Sequence, residues 1–139
     1  MKQLSYFFFY TYVGLVLLAG AWGAFIGPHR DFIWLFDLHT DTLPEQSSIN
    51  LVSQYRFLRA LEFGYGLYSV IFLREIFSER KFNALFLMIM FSGVLSRIVS
   101  IVVEGSPSPL FYFFLIYELT GVVIIFLYTR SKIYTHVSH

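Results

Sequence analysis

Four stretches of this chain, about Leu4 to Gly27, Val52 to Phe77, Phe82 to Val103 and Leu110 to Thr129, are apolar over enough residues to cross a bilayer, because roughly 20 helical residues span about 30 Å of hydrocarbon. No other feature narrows the fold as far. Hydrocarbon offers no water to backbone N–H and C=O groups, so a spanning segment must satisfy them itself, as a helix or within a closed barrel. Runs of this length are about twice what a membrane strand needs. The composition agrees: 57% hydrophobic residues, 14% charged residues and a mean hydropathy of +0.65 lie outside the range of soluble domains. The predicted fold is an all-α integral membrane four-helix bundle, a single domain over residues 1–139, multi-pass in a cell membrane and with the lipid bilayer as its surroundings.

Orientation follows from Lys and Arg, which concentrate on the cytoplasmic side of membrane proteins. Lys2, the turn holding Arg74, Arg80 and Lys81, and the tail with Arg130 and Lys132 would share one side, against Arg30 alone in the opposite loops. Both termini are therefore expected in the cytoplasm. The first segment has Lys2 before an apolar run and Ala19-Gly20-Ala21 in the manner of a cleavage site, but apolar character continues through Trp22, Phe25 and Ile26, which reads as a retained anchor. Aromatic residues Tyr6 to Tyr10 and Tyr12 at its cytoplasmic end suit an interfacial belt. In the loop Glu104 to Pro109, two prolines end the third helix and start the fourth.

The first outer loop, Pro28 to Leu51, contains Phe32-Ile-Trp-Leu-Phe36, an apolar run too short to span and marked by a tryptophan. A short interfacial helix over the outer end of the bundle is predicted, with a lid as the sharper alternative. The loop also carries His29, Asp31, Asp37, His39 and Asp41. If extended, Asp37 to Asp41 would set three donors on one side, but the spacing matches no metal motif, and Asp and Thr commonly cap turns. The tail from Ser131 to His139, with His136 and His139, reads as a solvated end. No metal or cofactor is expected.

Ionisable side chains inside spanning segments need partners, and five occur here: Arg56, Arg59, Glu62, Arg97 and Glu118. Arg56 and Arg74 are separated by 18 positions, about 27 Å of helix, so both could snorkel towards opposite interfaces. Arg59 lies about 5 Å and Glu62 about 9 Å deeper than Arg56, while Arg97 falls roughly 10 Å and Glu118 roughly 12 Å below the outer ends of their helices. That places four charges in one layer, where each would oppose insertion by about 2.5–3.5 kcal/mol if left alone. Mutual pairing is expected. Arg56, Arg59 and Glu62 recur at spacing three, and Arg97 shares a face with Gly93, Ser100 and Glu104. Small residues beside them, including Gly23 and Gly27 at GxxxG spacing, permit close helix approach, within the monomer or in a homo-oligomer.

Three arginines against two glutamates leave one positive charge, or none if Glu104 joins. Two readings follow. An outward-facing cavity lined by Arg56, Arg59, Glu62, Arg97, Ser100, Glu104 and Glu118 would bind an anionic lipid or small acid, whose oxygens suit guanidinium forks. Alternatively, the charges form a closed network that fixes helix register in an accessory subunit of a larger membrane complex. A third reading, an intramembrane enzyme using Glu118 as acid or base, lacks the rest of a catalytic set: no nucleophile with a His base, no HExxH and no phosphate-cradling glycine loop. A net charge of +1 without a basic run excludes nucleic acid as partner, and the chain has no cysteine.

The order Asn50 through Arg56-Phe-Leu-Arg59-Ala, then Ser96-Arg97-Ile-Val-Ser100 with Glu104-Gly-Ser-Pro, then Tyr117-Glu118-Leu resembles a family of small four-helix bacterial membrane proteins catalogued as a domain of unknown function and loosely akin to the DoxX-like group. The resemblance runs from residue 50 onward; before it, the first helix and outer loop agree in length and character. It implies a four-helix bundle and points to Arg59, Arg97 and Glu118, and it brings no established activity.

Overall fold

A computed structural model describes residues 1–134; His136 and His139 of the tail lie outside the described residues. The described chain is all helix and turn, without a strand. Its elements are α1 (Lys2–Ala21), continued by a π-helical turn Trp22–Ile26, α2 (Pro28–Phe36), a 3-10 turn Thr40–Thr42, α3 (Glu45–Ile71), α4 (Leu73–Ile76), α5 (Arg80–Val103), α6 (Pro109–Thr129) and a closing π-helical turn Arg130–Tyr134. They fall into two compact units, one made of Met1–Tyr12 with the chain from Ile71 onward, the other of Val13–Val70.

Three helical segments are long and apolar enough to cross a membrane: Lys2–Ile26, Arg80–Val103 and Pro109–Tyr134. They correspond to the first, third and fourth predicted spans. The second differs. Its helix starts at Glu45 instead of Val52, because Pro44 precedes it with a preset φ and Glu45 sits in its first turn, where a carboxylate meets the positive end of the helix dipole. The helix stops at Ile71, and the remainder of the predicted segment is the single turn α4. With 27 residues α3 reaches about 40 Å, yet Arg56, Arg59 and Glu62 keep it out of the set that is apolar enough. The long outer loop is correspondingly shorter and mostly helical: Pro28 starts α2 and Asp37 ends it in the left-handed conformation at φ 50°, which Asp tolerates better than most residues.

In the unit containing α5 and α6, the core is aromatic. Phe9 packs its ring 5.3 Å from Phe77 and 5.2 Å from Phe86, and Tyr6 stacks on Phe77 at 4.3 Å. A buried polar knot holds the same end: Asn83 Nδ2 donates to the Ile76 carbonyl at 2.9 Å, and Thr129 Oγ1 donates to Asn83 Oδ1 at 3.2 Å. This ties α4, α5 and α6 together, and among the described residues no buried side-chain N or O atom lacks a partner, as low-dielectric burial requires. At the other end, α5 closes into a turn through Gly105 at φ 105°, a conformation that side chains disfavour, and Ser108-Pro109 starts α6.

In the Val13–Val70 unit, the later part of α1 lies against α3 at glycines. A Cβ on Gly20 would stand 2.7 Å from the Phe63 nitrogen, and one on Gly23 2.6 Å from Arg59 Cγ. Of the GxxxG pair, Gly23 therefore serves packing inside the monomer. Gly27 instead folds beneath the Trp22 ring, 2.8 Å from where its Cβ would be.

Candidate functional site

The break between α1 and α2 shows how the chain brings its first charged group into place. Ala24 lies in the π-helical turn Trp22–Ile26, in which the Gly27 N–H meets the Trp22 carbonyl at 3.0 Å, five residues back, and Pro28, which has no N–H, follows this turn. Arg56 NH1 donates to the Ala24 carbonyl in this turn at 2.6 Å. A guanidinium at a helix C-terminus also meets the negative end of its dipole. Arg56 thus holds a backbone group.

One helical turn along α3, Arg59 is the centre of a chain of hydrogen bonds. Its Nε donates to the Tyr55 hydroxyl at 2.8 Å, the hydroxyl donates to Asp31 Oδ2 at 2.9 Å, and its NH1 donates to Glu62 Oε2 at 2.6 Å. The guanidinium also lies 5.0 Å from the centre of the Tyr55 ring, within cation–π range. Gly23 makes room for this, since a Cβ there would also come 2.9 Å from Asp31 Oδ2. The two partners of the ion pair are unequally covered: the Arg59 side chain is 17% exposed and that of Glu62 46%. Arginine is the inner member and glutamate the outer one.

Tyr55 serves two surroundings at once. Its hydroxyl belongs to the charged chain, while its ring lines an open apolar groove of about 350 Å³ between α2 and α3, with Phe32, Phe36, Leu38, Leu51, Gln54 and Leu58. Phe32 is buried against Tyr55 at 4.7 Å between rings. The amphipathic α2 is the predicted short helix of the outer loop. Its polar anchor is Asp31, 7% exposed.

In the other unit, Arg97 of α5 and Glu118 of α6 form a two-toothed pair, Nε to Oε2 at 3.0 Å and NH2 to Oε1 at 3.1 Å. Here the order is inverted, with the carboxylate at 13% exposure and the arginine at 31%. The Arg97 guanidinium lies 5.6 Å from the Phe114 ring centre, and Gly93 leaves the carboxylate uncrowded. Both carboxylate oxygens of Glu118 are turned to Arg97.

Of the charges expected in one layer, Arg59 pairs with Glu62 in the Val13–Val70 unit and Arg97 with Glu118 in the other unit. Ser100 and Glu104, on the same face of α5 as Arg97, are exposed near its end, and Glu104 caps the helix with its backbone N–H on the Ser100 carbonyl at 2.8 Å. Asp31 and Tyr55 were not among the expected site residues. An acid in a loop and a tyrosine in an aromatic-rich helix carry no signal until α2 docks; the one available hint was Tyr55 four residues before Arg59, on the same helical face.

Two of the outer-loop donors, His29 and Asp31, have side-chain partners within reach of the loop. His29 Nδ1 bonds Thr40 Oγ1 at 2.8 Å, Thr42 Oγ1 donates to the His39 carbonyl at 2.7 Å, and Asp31 takes Tyr55. The segment Asp37 to Asp41 is not extended, and among the described residues no three His, Cys, Asp or Glu side chains come together as a metal site.

No curated protein and no solved structure matches the chain. A family model does, over residues 7–129, which takes in α1 and α2 as well as the region from residue 50 onward. With that match covering nearly the whole sequence, and with the helices described above, the chain belongs to the family described as Domain of unknown function (DUF4345).

Proposed function

We propose that this is a four-span membrane protein, α3 being the fourth span and both termini cytoplasmic, that holds an amphipathic molecule with an acidic head in its Val13–Val70 unit. The observation that carries the proposal is Tyr55: one side chain joins an apolar groove to the hydrogen-bonded chain around Arg59. An acyl-like tail would occupy the groove beside Leu51 and Leu58, and a carboxylate or phosphate head would reach Arg59. Glu62 is the group such a head replaces. It is already half in the open, so its release uncovers little, whereas Arg59 stays enclosed and passes from one anion to another. Guanidinium favours this exchange because its planar fork fits either oxygen pair.

The second reading, a structural network in an accessory subunit, is favoured by Arg97 and Glu118, whose fork is closed on both oxygens. The two readings divide on Glu62. Native mass spectrometry of gently extracted protein should find one lipid-sized or acid-sized adduct. Leu58→Trp, which fills the groove, should remove it, and Glu62→Gln should raise its occupancy several-fold. Absence of any adduct, or loss of the adduct in a folded Glu62→Gln protein, would overturn the binding proposal; a stoichiometric protein partner would support the accessory one.

A further inference from the structure

A second surface, in the other unit, carries charge of one sign. Polar and aromatic contacts gather the start of α1, the turn α4, the start of α5 and the end of α6 at one end of this unit. Ser5 Oγ donates to the Ile124 carbonyl at 3.3 Å, Tyr6 contacts Phe77 and Tyr128, and Asn83 joins Ile76 to Thr129. The basic residues on these elements are Lys2, Arg74, Arg80, Lys81, Arg130 and Lys132, all exposed. They are six of the ten Lys and Arg of the whole chain, against only Glu75 and Glu79 of its nine Asp and Glu. Among the described residues none of the six is in a salt bridge. The remainder of the chain is therefore acidic on balance, and a net charge of +1 conceals a strongly basic end.

The same end is marked by height. Tyr6, Tyr10 and Tyr128 lie there with Phe77 as a ring cluster, and amphipathic rings of this type sit at the headgroup level of a bilayer. Tyr134 lies beneath the Arg80 guanidinium, 5.2 Å from CZ to the ring centre, so this arginine is held at the same level. Bases at headgroup height that outnumber the neighbouring Glu75 and Glu79 face lipid phosphates within a Debye length.

We infer that this end of the α5–α6 unit is a binding surface for anionic phospholipid headgroups, with Arg80, Lys81, Arg130 and Lys132 as its principal contacts. The surface selects charge at the membrane face, and it uses none of the groups around Tyr55. Each base near an anionic surface contributes about fivefold in affinity, a contribution that salt screens.

The test uses the full chain in neutral detergent, titrated with phosphatidylglycerol and with phosphatidylcholine of the same acyl chains, the adducts being counted by native mass spectrometry. Phosphatidylglycerol should bind at least tenfold more tightly at low salt, and the Lys81→Gln, Arg130→Gln, Lys132→Gln variant should lose most of that preference. Lys81→Arg with Arg130→Lys should keep it, as should Leu58→Trp, which separates this surface from the groove. If the triple variant fails to fold, the unsubstituted protein decides: its preference should vanish by about 0.5 M salt, where the screening length is near 4 Å. Equal affinity for both lipids, a preference that survives in the folded triple variant or in high salt, or displacement of lipid by millimolar inorganic phosphate would each overturn the inference.

Discussion

The pair between Arg97 and Glu118 makes a prediction that separates attraction from mere proximity. In Glu118→Gln the guanidinium keeps its position but loses its counter-charge inside a helix apolar enough to span the membrane. Removing one partner of a buried pair costs about 3–5 kcal/mol, and a lone arginine mid-helix about 2.5–3.5 kcal/mol on insertion scales. Because Arg97 is 31% exposed and can extend its stem towards water, the lower figure is the relevant one, and about 2–3 kcal/mol is expected. Arg97→Met leaves the less exposed carboxylate alone, but a carboxylate can take up a proton and become neutral, which a guanidinium cannot do. The loss there should be smaller, about 1–2 kcal/mol by the same comparison of buried and neutralised groups. Removing both charges together should be close to neutral, since apolar replacements of an ion pair often are. The coupling in a double-mutant cycle, with the double variant near neutral, is then the sum of the two single losses, about 3–5 kcal/mol, well above the roughly 0.5 kcal/mol seen between independent sites. Unfolding in detergent followed by helical circular dichroism is the suitable assay, because Trp22 and Trp34 both belong to the Val13–Val70 unit and their fluorescence reports there. Additive losses, or an Arg97→Met protein less stable than Glu118→Gln, would refute the reasoning.

Two further substitutions address how the helices meet. Gly20→Ala should destabilise by about 1–2 kcal/mol, since its Cβ would meet the backbone of Phe63 and Arg59 at 2.7 and 2.9 Å and overpacking outweighs the gain in helix propensity; Gly14→Ala, in the same helix with nothing within 4 Å, should be neutral or stabilising by up to about 1 kcal/mol, and equal thermal shifts for the two would contradict the close approach. Arg56→Met should cost about 1–3 kcal/mol by stranding the Ala24 carbonyl, and Arg56→Lys, which keeps a donor on a long side chain, should lose less. Unfolding of the two variants measures this, and equal losses would show that the hydrogen bond to Ala24 is not what Arg56 contributes.

What the sequence made legible depends on whether a partner lies within the same helix or must be carried in by another. Arg59 and Glu62 lie three positions apart on α3, so their pairing needs only helical periodicity. Arg97 and Glu118 are joined across a short turn whose prolines and Gly105 fix antiparallel neighbours, so counting rise per residue from the turn was enough to bring them to one height. Asp31 was different. Its carboxylate reaches Tyr55 only because Gly27 and Pro28 break the first helix, Asp37 ends the second in the left-handed conformation, and Gly23 leaves a space where any side chain would collide. Each of these residues is readable as a local signal, but their joint consequence is a tertiary contact that no period or spacing announces. The same residue revises the charge balance. Arg56 and Arg59 set against Glu62 alone leave these charges on α3 with an excess of one positive; once Asp31 counts, the four groups balance. On the proposed binding, an anion would enter by exchange with a resident carboxylate, and the exposed position of Glu62 beside an enclosed Arg59 makes Glu62 the carboxylate to yield. Such an exchange would keep the arginine paired with and without the ligand, which is the condition for holding a guanidinium in a low-dielectric setting at all.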